Sequence, residues 1–97
     1  MSIYSGVILL KASQEMLLRE VAGEYLLIPI GKATRTVKGM VALSESGFLL
    51  WNKLQNDCSV EDLVQLLLSE YEIDESTAHQ DVINFLKQMN QLGILIR

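Results

Sequence analysis

The sequence predicts an α+β domain, a short three-stranded antiparallel meander followed by three helices. Three observations predict it. The apolar residues recur with a period near two before Ser44 and near 3.6 after it. Glycine and polar breaks divide each half into three segments. At 97 residues, with 49% hydrophobic side chains, the chain suits one core and is too short for two.

In the first half, Leu17-Leu18-Arg19-Glu20-Val21 reads as the first strand. Ala22-Gly23-Glu24 follows, and Gly23 can take the positive φ of a tight hairpin turn. The second strand is Tyr25-Leu26-Leu27-Ile28-Pro29-Ile30. Pro29 has no N–H to give a ladder, so it belongs at a free edge, a strand end or a bulge. A polar connection, Gly31 to Thr36, leads to a third strand, Val37-Lys38-Gly39-Met40-Val41-Ala42-Leu43, with Gly39 as its weak point. Short links between consecutive strands favour a meander.

In the second half, Ser44 is placed as an N-cap ahead of Phe48, Leu49, Leu50, Trp51 and Leu54. Ser59-Val60-Glu61-Asp62 approximates a capping box for a second helix built on Leu63, Val64, Leu66, Leu67 and Leu68. Asp74 caps a third helix whose core stripe is Ala78, Val82, Phe85, Leu86, Met89 and Leu92, and Gly93 suits its C′ position. Ile94-Leu95-Ile96 closes the chain as a short strand or docked tail. Residues 1–15 are an extension before the first strand; Val7 to Leu10 can add a strand or dock on a second copy.

Composition excludes several classes. The net charge is −4, and residues 44–97 set Lys53, Lys87 and Arg97 against nine carboxylates, a poor surface for phosphates. The apolar runs fall well short of the roughly 20 residues that span a bilayer, so no membrane role is expected. Met1 to Gly6 lacks the basic stretch of a signal peptide. Cys58, the single cysteine, can form no intrachain disulfide, which gives the cytoplasm as the expected location. Catalysis needs a constellation that one cysteine and one histidine do not make. Asp57 beside Cys58 disfavours a thiolate, and His79 with Asp81 or Glu75 is too few ligands for a metal. The acids Glu70, Glu72, Asp74 and Glu75 straddle a helix end and a cap, which suits a solvated surface better than an acid–base pair. No enzyme, no metal and no cofactor are expected.

Binding has more support. In a meander the third strand is an edge, and the unpaired backbone of Val37, Lys38, Gly39, Met40, Val41, Ala42 and Leu43 can accept an added strand. Lys38 is alternatively a charge that blunts that edge. On the third helix, Ile83 stands beside the core stripe and defines a half-apolar face with His79, Leu86, Lys87 and Asn90, a candidate wall for a groove. Arg35, Lys38 and Lys87 can attract acidic residues of a bound peptide.

The ordered residues also resemble a family. Arg19-Glu20-Val21-Ala22-Gly23-Glu24-Tyr25 and Ile28-Pro29-Ile30-Gly31 are followed by Leu43-Ser44-Glu45-Ser46-Gly47 with Trp51 and Leu54. Then come Val60-Glu61-Asp62-Leu63-Val64, Glu70-Tyr71, Asp81-Val82, Phe85-Leu86 and Leu92-Gly93-Ile94-Leu95. Over residues 17–96 this set resembles the PqqD-like family, the coenzyme pyrroloquinoline quinone synthesis protein D and related precursor-peptide recognition elements. The resemblance implies a winged-helix-like fold and a non-catalytic role. Such proteins hold the leader of a ribosomally made precursor peptide and present it to a modifying enzyme, often a radical SAM protein. It also implies where the leader lies: along the third strand, Val37 to Leu43, against the third helix from His79 to Asn90. The extension at residues 1–15 departs from the family's usual start and leaves dimer formation open. An oligomerisation scaffold using the same edge is one alternative. A DNA-binding winged helix is another, disfavoured by Glu75 and Asp81 against only Lys87 on the third helix.

Overall fold

The computed structural model describes residues 9–95. Three antiparallel strands in the order β1-β2-β3 (Met16–Val21, Glu24–Pro29, Val41–Leu43) precede α1 (Glu45–Lys53), α2 (Val60–Glu70) and α3 (Glu75–Gln91). The sheet is open, and the fold is the expected α+β arrangement.

The β1–β2 hairpin turns on Ala22 and Gly23 with φ of 53° and 81°, both in the left-handed region that a two-residue turn of right-twisted strands requires. Pairs run from Met16↔Pro29 to Val21↔Glu24. One step beyond them the Ile30 N–H donates to the Glu15 carbonyl at 2.9 Å. Bonded and non-bonded pairs alternate in an antiparallel ladder. The bonded pairs with β1 therefore fall on Glu24, Leu26 and Ile28, and the backbone groups of Tyr25, Leu27 and Pro29 face β3.

That alternation explains where the third strand begins. The expected strand from Val37 to Leu43 is confined to Val41–Leu43, paired as Tyr25↔Leu43, Leu26↔Ala42 and Leu27↔Val41. The next bonded pair would set Gly39 opposite Pro29, which has no N–H to give. Gly39 instead turns at φ +86°. Upstream, Gly31–Arg35 winds into a short 3-10 helix, and the Val37 N–H donates to the Ala33 carbonyl at 2.8 Å. Val37 is a buried loop residue whose side chain joins the core.

The helices start where the sequence places their caps. Ser44 Oγ accepts the Gly47 N–H, Asp74 accepts that of Thr77, and Ser59 with Asp62 completes a reciprocal capping box. Gly93 takes φ +75° after α3. The core joins Met16 and Leu27 of the sheet to Leu50, Trp51 and Leu54 of α1, Leu63, Val64 and Leu67 of α2, and Ala78, Val82, Phe85, Leu86 and Met89 of α3. Tyr25 stacks on Phe48 with ring centroids 4.1 Å apart, fixing α1 to the sheet.

The described part of the amino-terminal extension belongs to this core. Leu10 and Cys58 exchange backbone hydrogen bonds of 2.6 and 3.0 Å, the Ala12 N–H donates to Leu54, and that of Ser13 donates to Ile94. Leu10 and Ala12 are buried. This segment engages the α1–α2 connection and the carboxyl end, away from β3. Val7 and Ile8, the other half of the expected extra strand, lie outside the described residues.

Candidate peptide-binding edge and its two clefts

β3 has β2 on one side, and no strand among the described residues lies on the other. With Leu43 and Val41 bonded to β2, the N–H and C=O of Ala42 face outward. Ser44 continues the extended path at φ −70°, ψ 172°. Its carbonyl is committed to the Phe48 N–H at 2.9 Å, while its N–H shares the outward side with Ala42. The outward groups of this edge are thus the N–H and C=O of Ala42 and the N–H of Ser44. Met40 is 62% exposed at the start of this edge.

Beyond β3, the edge opens into two adjoining clefts. The first, of about 270 Å³, lies between the start of α1 and one flank of α3, lined by Ser44, Ser46, Gly47, Leu50, Asp81, Asn84, Phe85 and Gln88. Gly47 brings the helices together. A Cβ at that position would sit 3.5 Å from the Phe85 ring, 3.6 Å from Leu43 Cβ and 3.3 Å from Ser44 Oγ. The second, of about 310 Å³, shares Ser44, Ser46 and Asp81 and continues over Leu67, Tyr71 and Ile73, with Glu45 on its rim. The Tyr71 hydroxyl donates to Glu45 Oε1 at 2.8 Å. Burial, then this bond to a carboxylate, push the Tyr71 hydroxyl up to about 12, so it remains a donor at neutral pH.

The expected site residues are distributed unevenly around this edge. Val41, Ala42 and Leu43 form β3; Lys38, Gly39 and Met40 are an exposed approach to it; Val37 is buried. On α3, Leu86 is only 1% exposed and fills the core, so it cannot line an open groove. Ile83 is half-buried and packs on the core; His79, Lys87 and Asn90 are exposed. None of these five lines either cleft. With 3.6 residues per turn, His79, Ile83 and Asn90 leave one side of the core stripe, whereas Asp81, Asn84 and Gln88 leave the other. The flank beside β3 is the second one. Its spacing of 81, 84, 85 and 88 is legible as a helix face, but only the docking of Gly47 on Phe85 selects it.

Chemistry elsewhere is sparse. Burial, reinforced by Asp62, pushes the Cys58 thiol up to about 11, which disfavours the nucleophilic thiolate. Among the described residues no three His, Cys, Asp or Glu side chains could hold a metal ion together. No helix there is long and apolar enough to cross a membrane.

Residues 24–95 match the family described as coenzyme PQQ synthesis protein D (PqqD). No curated protein matches the sequence. Two solved structures share the fold. TbiB1 in complex with the TbiA(beta) leader peptide superposes with a TM-score of 0.71 at 21% identity, covering 89% of this chain and 94% of that one. A lasso peptide synthetase B1 complexed with the leader peptide gives 0.71 at 19% identity, covering 91% and 98%.

Proposed function

Because this chain belongs to the family of coenzyme PQQ synthesis protein D, we propose that it is a non-catalytic recognition element that captures the leader of a ribosomally made precursor peptide by strand addition. The observation that carries this reading is the outward backbone of Ala42 and Ser44 beside a cleft between α1 and α3. Both similar structures hold a leader peptide, which supports the same class of ligand here. The protein would then present the leader to a separate modifying enzyme. Family resemblance favours a radical SAM enzyme; the lasso peptide synthetase among the similar structures makes lasso-peptide synthesis a second class of maturation.

The mechanism follows from what the edge offers. The bound strand pairs with the outward groups of Ala42 and the N–H of Ser44, each bond adding a net ~0.5–1.5 kcal/mol whatever the peptide's side chains. Three or so such bonds cannot offset the ordering of a flexible peptide by a wide margin, so side chains in the clefts must add to them. The expected affinity is micromolar to sub-micromolar, about −8 kcal/mol. Successive peptide side chains alternate. The residue opposite Ala42 faces outward with it, and its neighbours face in toward Phe85, Asn84 and Gln88. We accordingly assign the helix contribution to that flank rather than to His79, Ile83, Lys87 and Asn90.

Ala42→Pro tests the reading. The lost N–H points away from β2, so the three-stranded sheet and its thermal unfolding persist. Anisotropy titration of labelled peptides selected on the protein from a random library should show binding at least about tenfold weaker, one lost backbone bond plus a ring on the docking edge. Undiminished binding by this variant would remove the edge from the mechanism.

A further inference from the structure

Resting on strand addition at β3, we infer that the leader carries an arginine or lysine that seats in the cleft beyond Ser44, between Glu45 and Asp81. The cleft has the two parts such a side chain needs. Its floor is apolar, made by Leu67, Tyr71 and Ile73, and suits an aliphatic stem. Its rim carries the carboxylates of Glu45 and Asp81. Among the described residues neither has a cationic partner within ion-pair distance; the Glu45 hydrogen bond comes from the neutral Tyr71 hydroxyl.

The position follows from the edge itself. Ser44 ends the extended path of β3 and lines both clefts. A strand that leaves Ala42 in register, advancing about 3.3 Å per residue, reaches the carboxylates within a few residues. Charge along this path is graded. Arg35 and Lys38 are exposed before β3, and Glu45 and Asp81 follow it. A peptide with an acidic end and a basic end complements that gradient in one orientation, and the reversed peptide sets like charges together at both ends. The gradient therefore fixes the direction in which the leader lies as well as one of its residues.

The test uses random peptides of about twelve residues, long enough to cover the edge and both clefts, displayed on phage and selected on the full chain. Selected sequences should share one arginine or lysine at a constant distance from an alternating stretch. For a lysine-containing binder, replacing that lysine with uncharged, near-isosteric norleucine should weaken binding to the wild-type protein about five- to tenfold, the range of a partly enclosed ion pair. In the double variant Glu45→Gln/Asp81→Asn the same replacement should change nothing. Both substituted positions are exposed, and the amide oxygen introduced by Glu45→Gln can still accept from Tyr71, so circular dichroism should show an unchanged fold. If norleucine binds wild type as well as lysine does, while Ala42→Pro still weakens both peptides, the basic subsite is refuted and strand addition stands. If Ala42→Pro leaves every selected peptide bound as before, or if no peptide is selected, strand addition fails and the subsite fails with it.

Discussion

Ala22 and Ala42 show how much a single backbone position can decide. Ala22 holds φ 53° in the hairpin turn, a conformation that Asn and Gly adopt at lower cost than a residue with an ordinary Cβ. The side chain is exposed. Ala22→Asn should therefore stabilise the fold by roughly 0.5–1 kcal/mol, read as a shift of the urea midpoint at constant slope. Ala42 lies in the edge strand β3, and its importance comes from which way its N–H points. The register says it points outward, because Pro29 and Ile30 fix the phase of the whole ladder. In the sequence, Pro29 marks a strand end, and that mark is visible. Its effect on a strand ten residues later appears only when the two are paired.

Among the elements, the helices were the most legible because their signals are local. Ser44, Ser59 and Asp74 each accept a backbone N–H within three residues, a geometry that spacing alone specifies. Ser59→Ala should cost about 1 kcal/mol of stability by removing one half of the capping box around α2. The caps also set an acid limit. Bonds from the Ser59 N–H and hydroxyl hold Asp62 below its usual 3.8, and bonds from Thr77 do the same for Asp74. A carboxyl with a depressed folded pKa contributes stability above the unfolded value and loses it as pH falls through the folded value. Urea midpoints should therefore hold steady above about pH 4 and decline below it, with Asp62→Asn making the decline shallower. The third strand was the least legible element. Val37 to Leu43 has strand composition throughout, yet Gly39 and the missing Pro29 N–H leave only Val41–Leu43 paired. The same limit applies to α3. Its core stripe is a periodicity and can be counted, but which flank faces β3 depends on α1 docking through Gly47, a contact between residues 38 positions apart.

At the scale of the molecule, β1 and β3 are the two edges of the sheet, and it is the β3 edge that adjoins the clefts between the helices. Among the described residues the extension before β1 does not pair with that edge; Leu10 and Ala12 fill the core near Cys58, Leu54 and Ile94 instead. Leu10→Ala should cost about 2–4 kcal/mol through the cavity it leaves. It should also expose the Cys58 thiol to slow alkylating reagents, since the two residues are paired through their backbones. A stability loss below about 0.5 kcal/mol would mean that the segment docks only loosely. What remains for binding is a packed core beside a short edge that no described strand covers, which suits a flexible ligand that supplies its own strand.

Amide hydrogen exchange resolved by residue tests that edge most directly, in the free protein and with a peptide selected for binding. The Val41 and Leu43 amides, bonded to β2, should exchange slowly in both states. Those of Ala42 and Ser44 should exchange fast in the free protein at every concentration and slow by about tenfold or more once peptide is bound. Slow exchange of Ala42 in the free protein, or no change on binding, would show that the edge is already occupied or that the peptide docks elsewhere.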